Sequence, residues 1–325
     1  MADRVIAVLG ATGRQGGGLV RAILADPSSG FSVRAITRDP DRDAARELAA
    51  RGAEVVQADL DDMASLERAF AGAYGVYAVT NFWELFFRDA ATSAERETAQ
   101  ARNIAEAVSR AGVQHVIWST LEDTRSLMAS DDTRMPMLQG RYRVPHFDAK
   151  HDANAFFDGL PTTLLYTSYY WENLILFGSA PKRGADGVYA WTFPMGDRRL
   201  AGMAAEDIGK VAWGIFKAGN EYIGRSVGIA GEFLTIDEMG RTLSKVLGIG
   251  PIRYDAVEPD VYRGFGFPTA EEIGNMFQVY RDFEKEVVGL RSIEEARRLN
   301  PELQTFEQWV ASSRDALLAV MSGAQ

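Results

Sequence analysis

Residues 5–17 read V-I-A-V-L-G-A-T-G-R-Q-G-G. The apolar run Val5–Leu9 has the continuous character of a strand buried on both faces of a parallel sheet, and it breaks into glycines at Gly10, Gly13 and Gly16. Glycines at this spacing permit a tight turn, close approach of backbone to an anionic group, and close packing of a helix on the strand before it. The helix that follows points its first N–H groups, at the positive end of its dipole, toward the same place. Strand, glycine turn and helix in that order predict a pyrophosphate cradle built on Gly10, Gly13 and Gly16.

Outward from this turn, strands and helices alternate. Further strands are expected at Ser32–Thr37, Glu54–Ala58, Val76–Thr80, His115–Ser119 and Thr162–Thr167. Between them, helices are expected at Gln15–Ala25, Asp41–Arg51, Asp62–Phe70, Ala94–Ala111 and His146–Phe157, with Asp61 or Asp62 capping the third. The alternation predicts an α/β fold of Rossmann type, a doubly wound parallel sheet with helices on both faces, over residues 1–167. Residues 168–325 lose the rhythm. Tyr169–Gly196 is aromatic and turn-rich, with short strands near Val188–Phe193, and helices are expected at Glu206–Ala218, Thr235–Leu247, Thr269–Val287 and Thr305–Ala319. A smaller, mostly helical C-terminal region packed over the strand ends would complete a single unit. Its aromatic residues Trp171, Trp191, Phe193, Trp213, Phe216, Phe265 and Phe267 are expected mainly in the core.

Composition narrows the function. The 325 residues are 46% hydrophobic and 25% charged, ordinary for a globular protein. Acidic residues outnumber basic ones 45 to 35, a formal net charge of −10, which argues against direct nucleic-acid binding through clustered cations. The chain has no cysteine, so disulfides, thiolate metal sites and a cysteine nucleophile are excluded, and any redox role has to come through a bound cofactor. No metal site is expected, because His115, His146 and His151 include no i,i+4 pair. The N-terminal residues lack the charged and apolar regions of a signal peptide, and no apolar run reaches a membrane span, so a cytoplasmic protein without a membrane anchor is expected.

The second strand selects the dinucleotide. It reads S-V-R-A-I-T-R-D-P and ends on Arg38, where an NAD-selective site usually carries an acid for the ribose 2′-hydroxyl. A guanidinium there suits the 2′-phosphate of NADP(H), and Arg14 can reach the same group. Asp59, ending the third strand, sits at the expected adenine position or caps the next helix. Thr80–Glu84, T-N-F-W-E, is expected to floor the nicotinamide half.

Together with the glycine turn, the segments T-R-D-P, V-T-N-F-W-E, H-F-D-A-K, Y-Y-W-E-N and F-G-F-P-T-A-E-E-I-G-N-M-F resemble the NmrA-like family, atypical short-chain dehydrogenase/reductases, over nearly the whole chain. The likeness is strongest to a branch of NADPH-sensing regulators. It implies that Gly10–Gln15 wrap the pyrophosphate, Arg38 holds the 2′-phosphate, and Thr80, Asn81 and Phe82 line the middle of the cofactor. Lys150 would reach the nicotinamide ribose, with Tyr170, Trp171, Glu172 and Asn173 closing over the nicotinamide. It further implies a protein partner or a homodimer. One departure is that no lysine lies between Trp83 and Gly112, where some relatives place a cofactor contact.

Ordinary short-chain dehydrogenases use Tyr-x-x-x-Lys, whose i,i+4 spacing sets phenol and ammonium on one helix face. Here the matching residues are His146 and Lys150, with Ser119 and Thr120 in the place of the usual serine. Two readings follow. One is an NADP(H)-binding redox sensor with little or no dehydrogenase activity. The other is an NADPH-dependent reductase of a quinone, carbonyl or aromatic ether, using Lys150, with His146 as proton shuttle, in the absence of the tyrosine.

Overall fold

The computed structural model describes residues 4–322. Six strands from the N-terminal half, β1 (Arg4–Val8), β2 (Phe31–Thr37), β3 (Glu54–Gln57), β4 (Gly75–Ala78), β5 (His115–Thr120) and β6 (Thr162–Tyr166), form one parallel sheet in the order 6-5-4-1-2-3. β1 lies between β2 and β4, with Val8 paired to Ala35 on one side and Tyr77 on the other. The strand order reverses there, so a crevice opens beyond the carboxyl ends of β1 and β4. Helices α1 (Arg14–Leu24), α2 (Asp43–Ala50), α3 (Met63–Phe70), α4 (Phe82–Arg88), α5 (Ser93–Ala111) and α6 (Pro145–Ala153) follow the strands. Asp62 caps α3, accepting from the N–H groups of Ala64 at 3.0 Å and Ser65 at 3.3 Å.

The second half of the chain contributes to this body as well. Ser226–Gly228 adds a seventh parallel strand beside β6, and the helix Ala205–Ala218 packs on α1. That crossing is close enough that a Cβ on Gly18 would lie 2.5 Å from the Glu206 carbonyl oxygen. Two small sheets complete the C-terminal region. Tyr169–Tyr170, Arg199–Met203 and Glu232–Thr235 form one, and Lys182–Arg183, Tyr189–Phe193 and Ile252–Ala256 the other.

Several elements depart from the expectations. The expected helix over 146–157 is an α-helix to Ala153 followed by a 3-10 turn over Asn154–Phe157. The segments 269–287 and 305–319 are each two helices, broken at Phe283 and Ser313. α4 was not expected, because F-W-E-L-F-F-R is aromatic and weakly helix-forming. It is secured by Asn81, whose side chain accepts from the Glu84 N–H, and by the i,i+4 pair of Glu84 with Arg88. The strand L-A-G-M within Arg199–Met203 lacks β-branched residues, and only its sheet partners make it extended. Of the seven C-terminal aromatic residues, five are buried, but Phe265 and Phe267 are 47% and 38% exposed.

Candidate functional site

A single cleft of about 1650 Å³ runs from the glycine turn, across the strand ends, into the C-terminal region. At one end lie Gly10, Thr12, Gly13, Arg14, Gln15 and Gly16. Gly10 adopts φ +61°, a left-handed conformation that costs a side-chain-bearing residue about 1–2 kcal/mol. Its carbonyl accepts from the Gly13 N–H at 2.8 Å and closes the turn. A Cβ on Gly16 would lie 2.5 Å from the Gly10 oxygen and 2.7 Å from that of Leu9, so α1 can start this close to β1 only with glycine there. No side chain caps α1, and its first-turn N–H groups are presented to the cleft. Ala11 is buried beneath the turn.

Gln15 organises the floor. Its side-chain oxygen accepts from the Tyr77 hydroxyl and, at 2.8 Å, from Ser119, while its amide donates to the Tyr170 hydroxyl. Burial pushes the Tyr170 phenol up to about 12, so it stays protonated at neutral pH. Thr120 turns aside and donates to Asn154 at 2.7 Å.

Farther along, Ile36, Thr37, Arg38, Asp39, Asp59, Leu60 and Asp61 line the side of the cleft beyond β2 and β3. The Arg38 guanidinium forks onto the Glu84 carboxylate, with Nη2 2.8 Å from Oε2 and Nη1 on Oε1. That hydrogen bond, outweighing partial burial, holds Arg38 above its ordinary value. Asp59 lines the cleft but does not cap α3, a role that Asp62 takes; its carboxylate accepts from the Asp61 N–H at 3.0 Å in the turn ahead of that helix.

At the centre, Lys150 extends from α6 toward the end of β4. Its ammonium donates to the Thr80 hydroxyl at 2.8 Å and pairs with Glu97 at 2.9 Å, while the Thr80 hydroxyl donates to the same Glu97 oxygen at 2.7 Å. Glu97 is fully buried, and its second oxygen has no hydrogen-bond partner among the described residues. Asn81 and Phe82 also line this stretch.

His146, one helical turn before Lys150, is held by a residue far away in sequence. Its Nδ1 lies 2.5 Å from Glu272 Oε1, and its backbone N–H donates to the same oxygen at 2.9 Å. Burial pushes the Glu272 carboxyl up, against the opposing hydrogen bond and charge of the imidazole. The ring packs 5.0 Å from Trp83 and 5.7 Å from Phe82 and borders the cleft. With Nδ1 committed to Glu272, Nε2 is the ring nitrogen left for other chemistry.

Beyond His146 the cleft becomes an aromatic lobe. Phe177, Trp191, Phe193, Tyr262, Phe265 and Phe267 line it, with Met276, Phe277 and Tyr280 behind. Tyr170 and Asn173 face the cleft, whereas Trp171 and Glu172 face the C-terminal core. Trp171 packs on Phe306 and Trp309, and the Glu172 carboxylate accepts from the Ala205 N–H at 2.9 Å and the Trp309 indole at 3.2 Å.

Three contributions have no counterpart in the sequence reading: Glu97, Glu272 and the pairing role of Glu84. Glu97 left a signal, an acid on the apolar stripe Ala94, Ala101, Ile104 and Val108 of α5. Glu272 left none, since an acid in the first turn of a helix is also explained by the helix dipole. Among the described residues, no group of three or more His, Cys, Asp and Glu is arranged to hold a metal, and no helix is long and apolar enough to cross a membrane.

A profile of the NmrA-like family matches residues 2–310. The chain is 31% identical over 288 residues to the NmrA-like family domain-containing oxidoreductase FrzB of Cladobotryum sp, covering 84% of this chain and 82% of that protein. It is 30% identical over 285 residues to the NmrA-like family domain-containing oxidoreductase hkm9 of Aspergillus hancockii, with the same coverage of 84% and 82%. Among solved structures, NmrA, a negative transcriptional regulator, in complex with NADP matches with a TM-score of 0.76 and 24% identity, over 100% of this chain and 99% of that one. The Citrobacter sp. triphenylmethane reductase complexed with NADP(H) matches with a TM-score of 0.70 and 18% identity, over 96% and 99%.

Proposed function

The chain belongs to the NmrA-like family, and we propose that it is an NADP(H)-dependent reductase acting on a flat aromatic or conjugated carbonyl compound, quinones included. The observation that carries this reading is the single cleft of about 1650 Å³ that joins the glycine turn and Arg38 to the aromatic lobe. A site for one small ligand usually measures about 300–1,000 Å³, so this volume suits a dinucleotide and a second molecule end to end. The oxidoreductase names of the relatives support it, as do the neighbours solved with NADP(H).

The residues fit the dinucleotide. The left-handed turn at Gly10, the bare approach at Gly16 and the uncapped start of α1 suit a pyrophosphate, and Arg38 with Arg14 suits a 2′-phosphate. When bound, the reduced nicotinamide supplies a hydride. Lys150, oriented by Glu97 and Thr80, would hold the ribose hydroxyls and so fix the ring's position. His146, fixed by Glu272, would hold a proton at Nε2 and pass it to the carbonyl oxygen of a substrate whose carbon accepts a hydride, so that a carbonyl would leave as an alcohol. The aromatic walls bind a planar substrate and exclude water from the reacting atoms.

A regulatory reading is favoured by one feature, the histidine where the dehydrogenase tyrosine would stand. In that reading the same cleft reports the NADPH/NADP ratio to a partner. Steady-state NADPH oxidation against quinones, conjugated aldehydes and aromatic ethers separates the two. The reductase reading predicts turnover of about 1 s⁻¹ or faster on a member of the panel. It also predicts a loss of about a hundredfold or more in His146→Gln, with NADPH affinity retained. Tight NADPH binding without turnover on the whole panel would leave the regulator.

A further inference from the structure

Arg38, the residue best suited to a 2′-phosphate, is already forked onto a carboxylate in this structure. Glu84 presents both its oxygens to Nη1 and Nη2, the two-point arrangement in which a guanidinium also grips a phosphate. Glu84 has a second partner, since Arg88, one turn further along α4, donates to Glu84 Oε1 at 2.5 Å. The three side chains stand at the cleft mouth, and their relative exposures are 50% for Arg38, 28% for Glu84 and 53% for Arg88. Asp59 and Asp61 also act on Arg38 through space, so the guanidinium sits in a negative surround.

We infer that Glu84 occupies the seat of the 2′-phosphate on Arg38 and thereby sets how strongly the protein prefers NADP(H) over NAD(H). The inference rests on the dinucleotide reading of the cleft. A phosphate dianion that arrives at Arg38 must displace the carboxylate or lie against it, and either course weakens binding through lost pairing or like-charge repulsion. Glu84 is not stranded when displaced, because Arg88 on its own helix keeps it paired. NAD(H) carries no 2′-phosphate and leaves the Arg38–Glu84 fork intact. Glu84 therefore restrains the very preference that Arg38 creates, which keeps the two dinucleotides closer in affinity than an unopposed arginine would.

Calorimetric titration of NADPH and NADH into the full chain tests this, with Glu84→Gln beside the parent. Removing the competing charge frees Arg38 and ends the like-charge repulsion, so the NADPH-to-NADH affinity ratio is expected to rise about three- to tenfold, by tighter NADPH binding. Glu84→Asp, which keeps the charge on a shorter arm, is expected to fall between the two and guards against a folding artefact in the first variant. An unchanged or lower ratio in Glu84→Gln would overturn the inference, because Glu84 would then be supporting Arg38 and not competing for it. If Arg38→Ala erases the preference while Glu84→Gln leaves it untouched, the assignment of Glu84 fails and the cleft reading stands. If the parent binds neither dinucleotide, both fail.

Discussion

The glycine-turn end of the cleft is made by one contiguous stretch, Leu9–Gly16 from the end of β1 into the first turn of α1, whereas the aromatic end gathers α4, His146 of α6, Phe177–Ala180, Trp191–Phe193 and Phe265–Tyr280 from across the chain. At the first end, backbone meets backbone: the atoms nearest a Cβ on Gly16 are the Gly10 and Leu9 main chains, which have little freedom to yield. At the second, side chains meet side chains, with ring centroids 4.9–6.4 Å apart in the cluster of Phe193, Tyr262, Phe277 and Tyr280. A phosphate cradle is thus all-or-none in its sterics, while an aromatic lobe is a sum of modest contacts, several of which can be lost singly. The two ends should answer mutation very differently.

The largest effect is expected at the contiguous end. In Gly16→Val, the start of α1 must move away from β1, and the first-turn N–H groups proposed to meet the pyrophosphate go with it. Each hydrogen bond to a charged group is worth about 1.5–3 kcal/mol. Loss of two should therefore lower NADPH affinity by about a hundredfold or more. Calorimetry on a variant with parental far-ultraviolet circular dichroism checks this, and retained affinity would break the comparison by placing the phosphates elsewhere. The smallest effect is expected at the assembled end. Phe265→Ala removes one half-exposed ring from the lobe, and an aromatic contact is worth about 0.5–1.5 kcal/mol. The KM of an aromatic substrate should rise about two- to twelvefold with NADPH affinity unchanged, which sharpens the comparison. A drop in NADPH affinity of the same size would instead show that the two ends are coupled.

The same contrast explains what could be read from the sequence. The glycine turn, Arg38 at the end of β2 and the run of strands were legible because each is a local pattern: a few consecutive residues decide it. Lys150 and Thr80 are legible and line the cleft, but the buried Glu97 that joins them needs α5 to be turned so that the second position of its stripe faces the end of β4. His146 was read alone, and its partner Glu272 lies 126 residues away on a helix whose docking no local pattern encodes. The segment Y-Y-W-E-N reads as one wall, but its strand ends at Tyr170 and the chain turns at Trp171 and Glu172, which leaves Tyr170 in the cleft and packs Trp171 against Phe306. Glu172 follows Trp171 into the core because the free N–H of Ala205, at the start of a helix, offers its carboxylate a partner. The sheet was likewise read as six strands, since three residues at Ser226–Gly228 are too few to announce a seventh.

Binding of the dinucleotide with discrimination by Arg38 is the claim on which the rest depends. It is tested most directly by calorimetric comparison of NADPH and NADH on the parent protein and on Arg38→Ala. A charge-assisted fork onto the 2′-phosphate, restrained by Glu84, predicts NADPH binding about three- to tenfold tighter than NADH in the parent, and nearly equal affinities in the variant. Equal affinities in the parent, or a preference that survives Arg38→Ala, would contradict it.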